Sequence, residues 1–288
     1  MKEELLAALA NEAGKSTSSV FDIAVMDEEG IASVRPTPSN YANDFYSVAK
    51  AFTAAGILVL FDMGKLTPDE KIYPILKEFF PDNYDKGWED VTVAHCLNHR
   101  MGISGGFLDI DTEDQRTFGD DWLEYTFANI RLEYAPGEKS VYSDGAYYIL
   151  SRIIEKVSGI EASAFIAKYI TLPLEFRDHA WSKCPGNHAV GASGFYAAAE
   201  DAVKLAWLYV NGGRYGDKQI ITERTIDLAC KRNFGLSEIG DTNVFGKGGM
   251  CGQMLMADTT HRVAVAWHSF DRDKISDRLV GVVLGQRC

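Results

Sequence analysis

Ser47 and Lys50 stand three residues apart in the stretch NDFYSVAKAFTAAGILVLFDMGK, Asn43 to Lys65. On a helix, that spacing puts both side chains on one face and within reach of each other. A hydroxyl beside an amine is the nucleophile-and-base pairing that acyl transfer requires. Lys50 is the only charged residue from Phe45 to Phe61, and a helix apolar on every side is a buried one. If the helix starts at about Ser47, Lys50 lies in its first turn, where the dipole favours anions. Burial and dipole both disfavour the ammonium, which predicts a lowered pKa for Lys50, offset in part by any neighbouring carboxylate. An uncharged lysine amine is a general base, and the unpaired N–H groups of a helix start can stabilise an oxyanion. The same two residues also fit a plainer role, with Ser47 as the helix N-cap and Lys50 reaching out past the helix end.

The elements around this pair follow from periodicity and punctuation. MKEELLAALANEAGKS predicts a short amphipathic helix with Leu5, Leu6 and Leu9 on one side. VFDIAVMDEEGIASVRP reads as two strands about a turn at Asp27–Gly30. The apolar helix stops near Gly64, and from Thr67 to about Leu174 the pattern is mostly helical. VTVAHCLNHRMG is expected as one helix, capped by Asp90 and ended near Gly102; DGAYYILSRIIEKVSG is another, with Asp144 as N-cap and Gly159 as stop. A Gly-rich, acidic loop from about Ile103 to Asp121 separates them. Helices at about Ala199–Asn211 and Thr222–Asn233 precede a hairpin turning near Asp258–His261, and DRDKISDRLVGVVLG closes the chain as a helix. Strands at both ends and helices between them predict an α/β (α+β) protein. Its discontinuous sheet domain covers 1–65 and 188–288, a mostly helical insert covers 66–187, and the active site lies in the cleft between them.

Composition narrows the class. With 288 residues, 46% hydrophobic and 24% charged, the chain can bury a large core. A net charge of −12 argues against nucleic acid or anionic membrane as partner. The N-terminus lacks the apolar run of a secretory signal, and no segment has the length of a membrane span. Cys96, Cys184, Cys230, Cys251 and Cys288 form an odd, scattered set without C-x-x-C, read as free thiols in a reducing cytoplasm.

Five stretches in consistent order resemble the serine β-lactamase and penicillin-binding superfamily, nearest to class C β-lactamases, D-aminopeptidases and β-lactamase-like esterases. YSVAKAFTAAGILVLFDMGKLTPDEKI resembles its nucleophile helix, TVAHCLNHRMGI the helix leading to a His-x-x-Gly turn, and YAPGEKSVYSDGAYYILSRIIEKVSG the segment with the Tyr-x-Asn motif. ASGFYAAAEDAVKLAWLYVNGGRYGDKQIIT resembles the glycine-bearing segment and helix that follow, and FGKGGMCGQ stands where the family has Lys-Thr-Gly or His-x-Gly. The resemblance spans about residues 20 to 270 and implies an antiparallel sheet flanked by helices. It implies Ser47 as nucleophile, Lys50 as its activating lysine and Tyr142 as the proton relay, a phenol beside two cations being easier to deprotonate. Which of Lys50 and Tyr142 is the acylation base stays open. Lys247 is implied as a cation that holds a substrate carboxylate or tunes Tyr142. Gly248 and Gly249 let substrate lie against the strand, and the amides of Met250 and Ser47 form the oxyanion hole.

Two positions depart from the family pattern. Asp144 replaces the usual Asn, and an ionised carboxylate accepts hydrogen bonds but cannot donate to an acylamide; it can pair with Lys50 or Lys247, or cap the next helix. Gly248 replaces a threonine whose hydroxyl often binds a substrate carboxylate. Together these favour a serine acyl-hydrolase of small esters or amides. The alternatives are a true β-lactamase or D-amino-acid peptidase, or a penicillin-binding sensor that does not turn over. No cofactor is expected. His95 and His99 have helical ligand spacing but no third-ligand pattern, so no metal is expected there. The stretch DIDTEDQ, Asp109 to Gln115, lacks the glycine of a calcium loop and reads as an exposed acidic loop at the active-site rim. Cys251 reads as a small buried core thiol.

Overall fold

The structure is a computed structural model describing residues 2–285, so Met1 and Cys288 lie outside the described residues. Helix α1 (Lys2–Gly14) buries Leu5, Leu6 and Leu9 as their spacing predicts. Strands β1 (Ser19–Asp27) and β2 (Gly30–Val34) form the expected hairpin. Strand β3 (Asn43–Asp44) leads through a 3-10 turn, Tyr46–Val48, into α2 (Ala49–Asp62). Ser47 therefore sits in a tight turn before the α-helix rather than at its start. The turn is set by Tyr46, which holds φ at +45°, and by Asp44 Oδ1, which accepts the Tyr46 N–H at 2.8 Å. Every residue of α2 from Ala49 to Leu60 is buried, Lys50 included.

The chain then runs through α3 (Ile72–Leu76), α4 (Val93–Leu97), α5 (Trp122–Asn129), α6 (Asp144–Ser158) and α7 (Ala162–Ile166). Two expectations fail here. Helix α4 is only five residues long and is capped by Thr92, whose Oγ1 accepts from His95 N while His95 Nδ1 accepts from Thr92 N. Asp90 instead pairs with Lys71 at 2.8 Å, and the helix has already ended when His99 takes φ +55°. Ser143, not Asp144, occupies the N-cap position of α6, because the Asp144 carboxylate is engaged with Lys50. Gly159 does end α6, at φ +74°.

The remaining elements are β4 (His179–Trp181), β5 (Phe195–Ala197), α8 (Ala199–Val210), β6 (Arg214–Tyr215), β7 (Lys218–Gln219), α9 (Glu223–Arg232), β8 (Ser237–Glu238), β9 (Val244–Gly248), β10 (Met254–Asp258), β11 (Val263–Phe270) and α10 (Ile275–Gly285). Six strands form an antiparallel sheet in the order β2-β1-β11-β10-β9-β8. A smaller sheet, β3-β5-β4, stands beside the turn that carries Ser47.

Alternation along the central strands divides the core into two layers. Ile23, Val25, Val265 and Trp267 meet Leu5 and Leu9 of α1 and Leu279 of α10. Ala24, Ala257, Ala264 and Ala266 join the layer that holds Ala202, Leu205 and Ala206 of α8. Small side chains on that face let α8 lie close against β1, β10 and β11. Asp22 ties them further, accepting from the first amide of α8, Ala199 N, at 3.0 Å and lying 2.7 Å from His268 Nδ1 on β11.

Candidate active site

Four segments distant in sequence converge on Ser47. The tight turn presents its hydroxyl, and α2 carries Lys50 directly beneath it. Lys50 Nζ lies 3.0 Å from Ser47 Oγ, 2.9 Å from the Ala192 carbonyl and 2.7 Å from Asp144 Oδ1. Three acceptors thus surround a nitrogen that offers three N–H groups when charged. The carboxylate that the sequence left to choose between two lysines and a helix cap pairs with Lys50. Burial raises the pKa of Asp144, and the Lys50 charge opposes that rise.

Tyr142, half-exposed just before α6, places its Oη 2.7 Å from Ser47 Oγ. Its ring lies 4.8 Å from Lys50 Nζ and 4.7 Å from Lys247 Nζ. His99 packs on the same ring with centroids 4.5 Å apart, and its Nδ1 accepts the Ser143 N–H. Burial, then the charges of Lys247 and Lys50, push the His99 pKa down to about 3, so the ring is neutral. Lys247 sits on β9 opposite Leu255 of β10. Burial and the Lys50 charge lower its pKa to about 7, against the pull of Asp144.

Beyond β9 the chain turns so that Met250, more than half exposed, reaches the cleft. Gly249 makes this turn possible: a Cβ there would lie 2.7 Å from the Phe45 carbonyl and 2.6 Å from Gln253 Oε1. The amides of Ser47 and Met250 have no hydrogen-bond partner among the described residues. Ser47, Tyr142, Asp144, Lys247, Gly249 and Met250 all line one cleft of about 350 Å³, with Lys50 buried below it. A larger cavity of about 940 Å³, between the end of α2 and α9, contains none of these groups.

The acidic loop expected at the rim of the active site contributes two residues to the cleft. Asp109 and Asp111 line the same cleft, and their carboxylates lie within 4.8 Å of that of Asp144 and of each other. Asp111 is anchored by Ser193 Oγ at 2.7 Å, and burial raises its pKa. The acidic loop therefore forms part of the cleft wall, close to the rim position expected for it. Cys251, expected in the core, is half-buried beside Met250, because the turn after β9 carries it toward the surface.

Residues 30–280 match the family model described as Beta-lactamase. Penicillin-binding protein 4* of Bacillus subtilis (strain 168) is 30% identical over 157 residues, covering 53% of this chain and 32% of that protein. A putative D-alanyl-D-alanine carboxypeptidase of Escherichia coli (strain K12) is 24% identical over 261 residues, covering 72% of this chain and 58% of that one. The chain thus spans between a third and three fifths of the length of these relatives. A penicillin-binding protein homologue from Caulobacter crescentus shares the fold, with a TM-score of 0.78 at 18% identity over 99% of this chain and 97% of its own. With the match running through the Ser47 turn, the Tyr142 segment and β9, the chain belongs to the Beta-lactamase family.

Proposed function

We propose that the protein is a serine acyl-hydrolase for small esters or amides, acting through an acyl-enzyme on Ser47. The observation that carries this reading is the Ser47 hydroxyl, held 3.0 Å from Lys50 Nζ and 2.7 Å from Tyr142 Oη at the floor of an open cleft. Tyr142 acts as its phenolate: Ser47 Oγ attacks the acyl carbon while its proton passes to that phenolate oxygen, and the ammonium of Lys50 stabilises the negative charge on the two oxygens. The Ser47 and Met250 amides receive the oxyanion. Tyr142 returns the proton to the leaving oxygen or nitrogen as the acyl–leaving-group bond breaks. Water then attacks the acyl-enzyme and frees Ser47.

Asp144 favours this reading over a lactamase or D-amino-acid peptidase, since its carboxylate is engaged by Lys50 and has no hydrogen to offer a substrate acylamide. The site draws Ser47 from the stretch 1–65, Tyr142 and Asp144 from 66–187 and Lys247 from 188–288, which supports a cleft between a discontinuous sheet domain and a helical insert. Among the described residues no helix is long and apolar enough to cross a membrane. The unpaired thiols of Cys96, Cys184, Cys230 and Cys251 support action in a reducing compartment such as the cytoplasm.

The test is a panel of nitrocefin, a D-Ala-D-Ala peptide and short p-nitrophenyl esters, with intact-mass analysis after a fluorophosphonate. Ester turnover with inert nitrocefin and peptide supports the reading; a lasting adduct without turnover would identify a sensor instead. Ser47→Ala is expected to lose both adduct and turnover, and activity persisting in that variant would remove Ser47 as nucleophile.

A further inference from the structure

Ser47 stands at a joint between two fixed pieces of chain. Beyond it, α2 is buried from Ala49 to Leu60. Ahead of it, Phe45 donates its N–H to the Phe195 carbonyl at 2.9 Å and accepts the Val48 N–H at 3.0 Å. The Phe45 ring also packs on His268, with centroids 3.7 Å apart. Tyr46 joins the two pieces in a left-handed conformation, which a bulky residue keeps only when its surroundings hold it there. The Tyr46 N–H has one acceptor among the described residues, Asp44 Oδ1 at 2.8 Å. We propose that Asp44 is a positioning residue: its carboxylate locks the joint that aims Ser47 Oγ, so that the reactivity of Ser47 follows the charge on Asp44. The inference rests on the reading of Ser47 as nucleophile and adds the group that sets its aim.

Three observations support it. First, the hold acts where aim is decided. Rotation about the Tyr46 backbone moves the Ser47 hydroxyl and the Ser47 amide together, since both follow it directly in the chain. The hydroxyl must stay 3.0 Å from Lys50 Nζ and 2.7 Å from Tyr142 Oη, and a misplacement of about 1 Å can cost a reaction roughly a hundredfold.

Secondly, the carboxylate has no stronger engagement. Asp44 closes β3, where it stands opposite Tyr196 of β5, and it forms no ion pair among the described residues. A hydrogen bond to an ionised acceptor is roughly twice as strong as a neutral one.

Thirdly, Asp44 changes charge in an accessible range. Burial raises its pKa to about 6 and the Tyr46 amide opposes that rise. Asp111 of the acidic loop adds to it, while Tyr196 on β5 and His268 on β11 oppose it. As pH falls through about 6, the bond to Tyr46 changes from charge-assisted to neutral. The carboxyl also gains a hydrogen that it can donate elsewhere.

The test follows the rate at which a fluorophosphonate labels Ser47, by intact mass, beside kcat and KM for a p-nitrophenyl ester. It compares wild type, Asp44→Asn, which keeps an acceptor that cannot ionise, and Asp44→Ala, which has none. At about pH 8 the labelling rate and kcat are expected to fall about three- to tenfold in Asp44→Asn and roughly a hundredfold in Asp44→Ala, with KM changed by less than about threefold. By about pH 5 the wild-type rate should approach that of Asp44→Asn, because both then hold Tyr46 by a neutral bond. Lys247 also takes up a proton over this range in all three proteins, so the ratio of wild type to Asp44→Asn isolates Asp44. Wild-type rates in Asp44→Ala, equal rates in the two variants, or a ratio that stays constant with pH overturn the inference and leave the hydrolase reading intact. Should Asp44→Ala fail to fold, the pH dependence of the ratio decides alone. A wild-type protein whose Ser47 takes no adduct removes the hydrolase reading, and the inference with it.

Discussion

At the scale of the residue, the site concentrates charge where a stable fold would avoid it. Lys50 and Lys247 lie within 5 Å of one tyrosine ring, and only Lys50 has a close carboxylate. The cost falls on Lys247, whose pKa of about 7 lies below its ordinary 10.5. The unfolded chain therefore binds a proton there more tightly than the folded one. Stability from this group is fully present above pH 10.5 and is lost as pH falls toward about 7. Lys247→Met is accordingly expected to raise Tm at pH 6, with a smaller gain near pH 9.5, while lowering kcat, as measured by paired melting curves and ester assays. A gain that grows with pH would contradict the assigned direction. The Ser47–Lys50 pair was legible because a spacing of three keeps both side chains on one side of the chain, even with Ser47 in the 3-10 turn before α2. The partner of Asp144 was not, since two lysines and a helix start competed for it and only tertiary placement chooses between them.

At the scale of the element, the chemistry hangs on two short irregular pieces, the 3-10 turn before α2 and the turn after β9. Both are strained or crowded: Tyr46 holds φ +45°, and Gly249 leaves no room for a Cβ beside the Phe45 carbonyl. Gly249→Ala should displace the Met250 amide and reduce kcat by roughly 10²–10³, with a smaller change in KM, as expected on losing one oxyanion donor. Steady-state kinetics with a p-nitrophenyl ester would check this, and unchanged kcat would remove Met250 from the oxyanion hole. Long periodic elements such as α2, α6 and β11 could be read from sequence because burial imposes a repeat on them. The short ones could not: α4 is capped by Thr92 rather than Asp90 because a reciprocal pair with His95 competes with a single carboxylate already drawn to Lys71. Asp109 and Asp111 lie on the loop expected at the rim, but their approach to Asp144 depends on tertiary placement that no periodicity describes.

At the scale of the molecule, the sheet separates two jobs. One face is closed by α1 and α10, and the other joins the larger core that contains α2. Leu9, fully buried in the first layer, is remote in packing from Ser47. Leu9→Ala should cost about 2–5 kcal/mol and lower Tm while leaving kcat unchanged. Denaturant unfolding beside the ester assay would show this, and a parallel loss of kcat would mean that the two layers are coupled.

The pairing of β1 with β11 also has a kinetic side. Ile23 finds Trp267 only after more than 200 further residues have been made. A ribosome delivering this protein holds an apolar strand without its neighbour while all the residues between β1 and β11 are added, and contacts so far apart in sequence close slowly. Newborn chains should lean on chaperones until β11 emerges.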